Sequence, residues 1–111
     1  MVVDQLPAPE TDRIFHALAD ATRRDIVRTV LVDARSVSAL ARQYPMSVAA
    51  VQKHVAVLEE AGLVSKQRRG RESLVRADID RVREARSALD ALELLWRDRV
   101  AQMDQILAED P

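Results

Sequence analysis

Apolar residues along the chain fall in bursts of helical spacing separated by short polar breaks. Ile14, Phe15 and Leu18 recur at one- to four-residue steps and predict a short amphipathic helix over residues 11–19. A second stripe, Ile26, Val27, Val30 and Leu31, follows Asp20, a residue type suited to the N-cap; Arg23, Arg24 and Arg28 fall on its other face. Ser38 is placed to cap a third helix of about two turns, which Pro45 prevents from continuing. Ser47 can cap a fourth, in which Val48, Val51, Val55 and Leu58 make one narrow stripe. Gly62, directly after Ala61, suits the position that ends a helix in the left-handed region.

Beyond Gly62 the period changes. Residues 63–67 and 73–77 have some β-branched content and flank the charged segment 68–72, which fits a two-stranded hairpin; Gly62 and Gly70 argue against a continuing helix. From residue 78 onward neither proline nor glycine interrupts the chain before Pro111. Ala85, Leu89, Leu92, Trp96, Val100, Met103 and Leu107 step by three or four, predicting one long helix with a sustained apolar seam. Residues 1–10, with Pro7 and Pro9, read as a loose arm, and residues 11–111 as a single domain. The expected fold is mainly α: about five helices and a hairpin wing.

Composition supports that reading. Hydrophobic residues make up 48% of the chain but aromatics only 3%, so the core has to be aliphatic. Two glycines are few for a turn-rich β fold. The absence of cysteine removes disulfides and thiolate metal sites and fits a reducing compartment. With no apolar run approaching the roughly 18 residues needed to span a bilayer, and no signal-peptide pattern at the start, the sequence suggests a cytoplasmic protein without membrane contact. The net charge of −1 conceals an asymmetry: residues 35–76 carry eight Lys/Arg against three Asp/Glu, a local +5, so the flanks sum to −6. One positive face on a near-neutral molecule suits an anionic partner.

The third and fourth helices, joined at Tyr44-Pro45-Met46, suggest a helix-turn-helix. Ala41 is small enough to let them approach, with Leu40, Tyr44, Met46, Val51 and Val55 packed between. The fourth helix then presents Ala49, Ala50, Gln52, Lys53 and Ala56 outward, a face without acid until Glu59. Short side chains admit a helix to a DNA major groove about 12 Å wide. There Gln52 suits an adenine edge, Ala49 or Ala50 a thymine methyl, and Lys53 and Ser47 the phosphates. His54 borders this face as its marginal member, since its place beside Val51 and Val55 favours a half-buried structural role. Arg68, Arg69 and Arg71 at the hairpin tip, with Lys66, suit phosphates or a narrow minor groove. His16 has no ligand cluster around it.

These stretches resemble the ArsR/SmtB family of winged-helix repressors. The resemblance is carried by Leu18-Ala19-Asp20-Ala21-Thr22-Arg23-Arg24-Asp25-Ile26-Val27, by Val37-Ser38-Ala39-Leu40-Ala41, by the run from Ser47 through Ala61-Gly62-Leu63-Val64, and by Arg69-Gly70-Arg71. It covers residues 12–77 closely and the last helix loosely. It implies helices around a wing hairpin, dimerisation through the first and last helices, and release of operator DNA on a signal. The chain departs from the metal-sensing members. Residues 38–44 hold no cysteine pair and residues 78–111 no histidine, so no metal or other cofactor is expected. Leu95-Trp96-Arg97 resembles a Trp-Arg pair found in a subset of the family. At Gln52, where relatives often carry Ser, the operator preference cannot be carried over.

A last helix of about 30 residues would reach roughly 45 Å, too far for its seam to be covered by so small a domain. Ala85 and Leu89 are expected to pack within the chain. Leu92, Trp96, Val100, Met103 and Leu107, with Ile14, Phe15 and Leu18, are expected to form a homodimer interface. A two-fold pair would present two recognition helices to successive major grooves, about 34 Å apart on an inverted repeat. The expected function is therefore a dimeric, sequence-specific transcriptional regulator of repressor type, with room for a small-molecule inducer. The alternative is a winged-helix adaptor without DNA binding, which has no need of the basic helix and wing. No nucleophile–base pair or phosphate-binding glycine loop suggests an enzyme.

Overall fold

The computed structural model describes residues 9–109. The elements run α1 (Pro9–Leu18), α2 (Ala21–Val32), β1 (Arg35–Ser36), α3 (Val37–Ala41), α4 (Val48–Glu60), β2 (Val64–Arg69), β3 (Glu72–Ala77) and α5 (Ile79–Glu109). Residues 1–8 of the expected arm lie outside the described residues. Pro9 and Glu10 belong to α1, because proline is well tolerated in the first helical turn, where its missing N–H has no partner to lose.

Local chemistry sets the helix boundaries. Asp20 Oδ2 accepts the Arg23 N–H at 3.0 Å and starts α2. Ser47 Oγ accepts the Ala50 N–H at 3.1 Å and starts α4. The cap of α3 is Ser36 rather than Ser38: Ser36 Oγ accepts from Ala39 at 3.1 Å. As a result α3 is five residues long, shorter than the expected two turns. At the end of α4 the N–H of Gly62 donates to Glu59 O and that of Leu63 to Leu58 O, both at 3.0 Å. This is a Schellman closure with Gly62 at φ +76°, and both Leu58 and Leu63, its accompanying apolar pair, are fully buried.

β2 and β3 form the expected hairpin, longer than the sequence suggested: Arg69 pairs with Glu72, leaving Gly70-Arg71 as a two-residue loop. Gly70 has φ +63° and among the described residues no non-glycine residue has positive φ, which matches the type II′ hairpin class. β1 adds to the other edge of β3, pairing Arg35 with Val75, so the sheet is three-stranded in the order β1-β3-β2.

The core is aliphatic. Ile14, Ile26, Leu40, Val51, Val55, Leu58, Leu63 and Val75 are fully buried, drawing α1, α2, α3, α4 and the sheet together. Burying each such side chain contributes about 1.5–3 kcal/mol. Among the described residues no polar or charged residue is buried. Ile14, Leu31 and Val48 differ from expectation. Ile14 is sealed inside its own chain at 0% exposure, because it sits with Ala17 on the inward face of α1; it cannot belong to a dimer interface in this arrangement. Leu31 and Val48 lie towards the edges of their stripes and are exposed.

α5 packs on α1 through its first turns only. Ala85 is buried and Val82 partly so. Leu89, expected inside, is 55% exposed, since the body ends before it. The chain consequently measures 72 × 30 × 22 Å, with a radius of gyration of 19.5 Å, against about 13 Å for a compact domain of this length.

Candidate nucleic-acid interface

The outward side of α4 follows from its packing. With Val51, Val55 and Leu58 turned into the core, helical geometry leaves Ala49, Gln52, Lys53 and Ala56 exposed and Ala50 half-buried. Ser47, also exposed, uses its hydroxyl oxygen in the cap. Lys53 makes no ion pair among the described residues. The face is therefore short, acid-free and carries an unneutralised cation.

His54 stands apart from that face. It is half-buried, with Nδ1 3.4 Å from Arg23 Nη1 and 3.9 Å from Asp20 Oδ2. Its ring is held against the start of α2.

The wing stands out as an exposed ribbon: in β2 only Val64 is buried. Strand alternation divides its cations between two faces. Lys66 and Arg68 share the side of Val64; Arg69 lies on the other. Lys66 Nζ lies 3.6 Å from Glu59 Oε1, a surface pair that ties the wing to the last turn of α4. Arg68 folds back, its Nε donating to Gly70 O at 3.0 Å. Arg69 and Arg71 make no ion pair among the described residues, and their charges face solvent.

A cleft of about 340 Å³ joins the two parts. Val37 and Ser38 of α3, Val48, Gln52 and Val55 of α4, and Lys66, Arg71, Ser73 and the acidic Glu72 of the hairpin line it. The sequence offers Ser38 only as a helix cap and does not single out Ser73. The helix face and the wing thus border one cleft, to whose lining Gln52 and Arg71 both contribute.

The remaining expected residues lie along α5 and α1. Leu92, Trp96, Met103 and Leu107 are more than half exposed, Phe15 is exposed, and Val100 and Leu18 are half-buried. Residues 82, 85, 89, 92, 96, 100, 103 and 107 follow one helical line. That line is covered by α1 at its start and open for the rest of its length. One flank of that line carries the ion pairs Arg86–Asp90 and Arg97–Glu93. Among the described residues no three His, Asp or Glu side chains stand close enough to hold a metal ion together.

A helix-turn-helix whose second helix shows a small, acid-free face beside a basic hairpin defines a winged helix-turn-helix DNA-binding protein. Comparison with known proteins agrees. A family described as a helix-turn-helix domain matches residues 18–67. The HTH-type transcriptional regulator Rv2034 of Mycobacterium tuberculosis is 38% identical over 79 residues, covering 71% of this chain and 74% of that protein. Among solved structures, an ArsR-like transcriptional regulator from Rhodococcus sp. RHA1 superposes with a TM-score of 0.76 at 33% identity, over 87% of this chain and 92% of its own. The homodimeric winged helix-turn-helix DNA-binding domain Mb0332 from Mycobacterium bovis shares the fold, with a TM-score of 0.64 at 24% identity over 76% and 79% of the two chains. The chain belongs to the ArsR-like family of winged helix-turn-helix transcriptional regulators.

Proposed function

We propose that two copies of the chain bind duplex DNA at an inverted repeat and repress the promoter that contains it. The observation that carries this reading is the cleft shared by Gln52 and Arg71, which lets one protein surface meet base edges and phosphates together. In this arrangement α4 enters the major groove. Ala49 and Ala50 allow close approach, Gln52 reads a base edge, and Lys53 and the wing arginines hold the phosphates on either side.

Dimerisation is supported by the open line from Leu92 to Leu107, continuous with the part that α1 already covers, and by the homodimeric state of the Mycobacterium bovis domain. Leu18 and Phe15 of α1 border that line. Repression would follow where the site overlaps a promoter, since a dimer seated across two turns there excludes polymerase. No described helix is long and apolar enough to cross a membrane, in keeping with a cytoplasmic site of action. A small-molecule inducer would have to enter between the two copies.

Selection of duplexes from a random-sequence pool, followed by fluorescence anisotropy at several salt concentrations, tests the proposal. The expected outcome is an inverted-repeat site and an affinity that falls steeply with salt, by about 0.9 in logarithmic slope for each phosphate neutralised. A protein that ignores duplex DNA at low ionic strength would instead be an adaptor.

A further inference from the structure

The junction between α1 and α2 holds a set of contacts that the DNA-facing surface does not use. Arg23 turns its guanidinium back over the end of α1: Nε donates to Ala17 O at 2.7 Å and Nη2 to His16 O at 3.1 Å. Its remaining nitrogen, Nη1, lies 3.4 Å from His54 Nδ1 on α4. Asp20 Oδ2, which accepts the Arg23 N–H, stands 3.9 Å from the same ring nitrogen. One side chain thus touches the end of the helix that carries Phe15 and Leu18, the first turn of α2, and the middle of the helix that reads DNA.

A guanidinium has donors only, so the Arg23–His54 contact requires an unprotonated Nδ1, with the ring proton on Nε2. Adding a second proton reverses the interaction, because the ring then repels Arg23 and is drawn to Asp20. We infer that Arg23 and His54 form a link that fixes the orientation of α4 relative to α1, and that protonation of His54 releases it and weakens DNA binding. The inference rests on the DNA-binding reading above, and makes both side chains positioning residues for it.

The charged groups facing the ring are Asp20 and Arg23 of α2. α1 presents the backbone carbonyls of His16 and Ala17, already occupied by Arg23, while the His16 ring is exposed. On α4 itself the adjoining cation is Lys53, turned to solvent. Asp20 is held below the usual carboxylate range, chiefly by the bond from the Arg23 N–H and more weakly by the charges of His54 and Arg23. Its carboxylate is therefore the anion that a protonated ring would meet.

Anisotropy titrations with the selected duplex, from about pH 5 to pH 8, the range of histidine titration, test the link. His54→Asn places an acceptor oxygen near the Nδ1 position and does not titrate. Wild-type affinity is expected to fall about fivefold on acidification, the worth of one ordinary hydrogen bond. His54→Asn is expected to hold its neutral-pH affinity throughout, and His16→Asn to follow the wild type. An unchanged or rising wild-type affinity in acid, or an acid loss retained in His54→Asn, overturns the inference while leaving DNA binding intact. No binding of duplex under any condition removes both. A second measurement needs no variant: long-range nitrogen NMR of the free protein at neutral pH should show His54 as the Nε2–H tautomer, and an Nδ1–H tautomer overturns the link outright.

Discussion

Tyr44 shows how a single side chain secures the turn before the reading helix. Its hydroxyl donates to Asp25 Oδ2 at 2.7 Å, which anchors the segment between α3 and α4 to α2. Burial, and then the adjacent Asp25, push its pKa up to about 12. A folded-state pKa above the unfolded value of about 10 gives stability that is complete below pH 10 and lost as pH rises towards 12. Tyr44→Phe should cost about 1 kcal/mol at neutral pH and should flatten this alkaline loss in denaturation curves taken across that range. At the DNA surface, Gln52→Ala should change which base is preferred. Arg69→Ala and Arg71→Ala should instead weaken binding to all sequences alike and lower the salt slope by about 1 each. Titrations of the three variants against operator mutants decide between these roles, and an equal loss of preference in all three would contradict the assignment. Sequence made the small outward face of α4 legible, because Val51, Val55 and Leu58 leave no other choice of orientation. It placed Arg23 and Arg24 on a solvated face. In the structure they cap the carbonyls of His16, Ala17 and Leu18, a role whose only sequence signal is two arginines soon after a helix end.

Elements were readable where the hydrophobic period ran long and blurred where they were short. The line along α5 needed no tertiary information, nor did the stripe of α4 apart from Val48 at its exposed edge. β1 did, because two residues cannot show alternation, and its pairing with β3 moves the cap of α3 from Ser38 to Ser36. Leu89 was misplaced for a related reason: periodicity gives the face of a helix but not the point at which its neighbour stops. The glycine that ends α4 allows a direct check. Gly62→Ala should cost about 1–2 kcal/mol for a left-handed residue bearing a Cβ. The added carbon would also come within 2.8 Å of Arg81 Nε, a flexible end that can swing aside. Gly70→Ala, with nothing within 4 Å, should show only the backbone cost. Chemical denaturation of each variant measures its cost. Leu58→Ala, which opens a void at the centre of the core, should lose about 2–5 kcal/mol.

At the scale of the whole molecule, a small body carries a helix of roughly 46 Å, most of which has no neighbour among the described residues. The dimer proposal makes this helix the scaffold that spaces two reading surfaces. Leu92→Asp combined with Trp96→Asp should give a monomer by analytical ultracentrifugation with its thermal transition largely kept, because neither residue belongs to the core. Its affinity for an inverted repeat should drop to that for a half-site. A monomeric wild type would remove the claim.

Trp96 is the only tryptophan of the chain, and it stands 61% exposed on the open line of α5. The molecule therefore has a built-in optical gauge of its own association. If a second copy covers that line, indole emission will shift to the red on dilution, and a plain fluorimeter will return the dimer constant without any label.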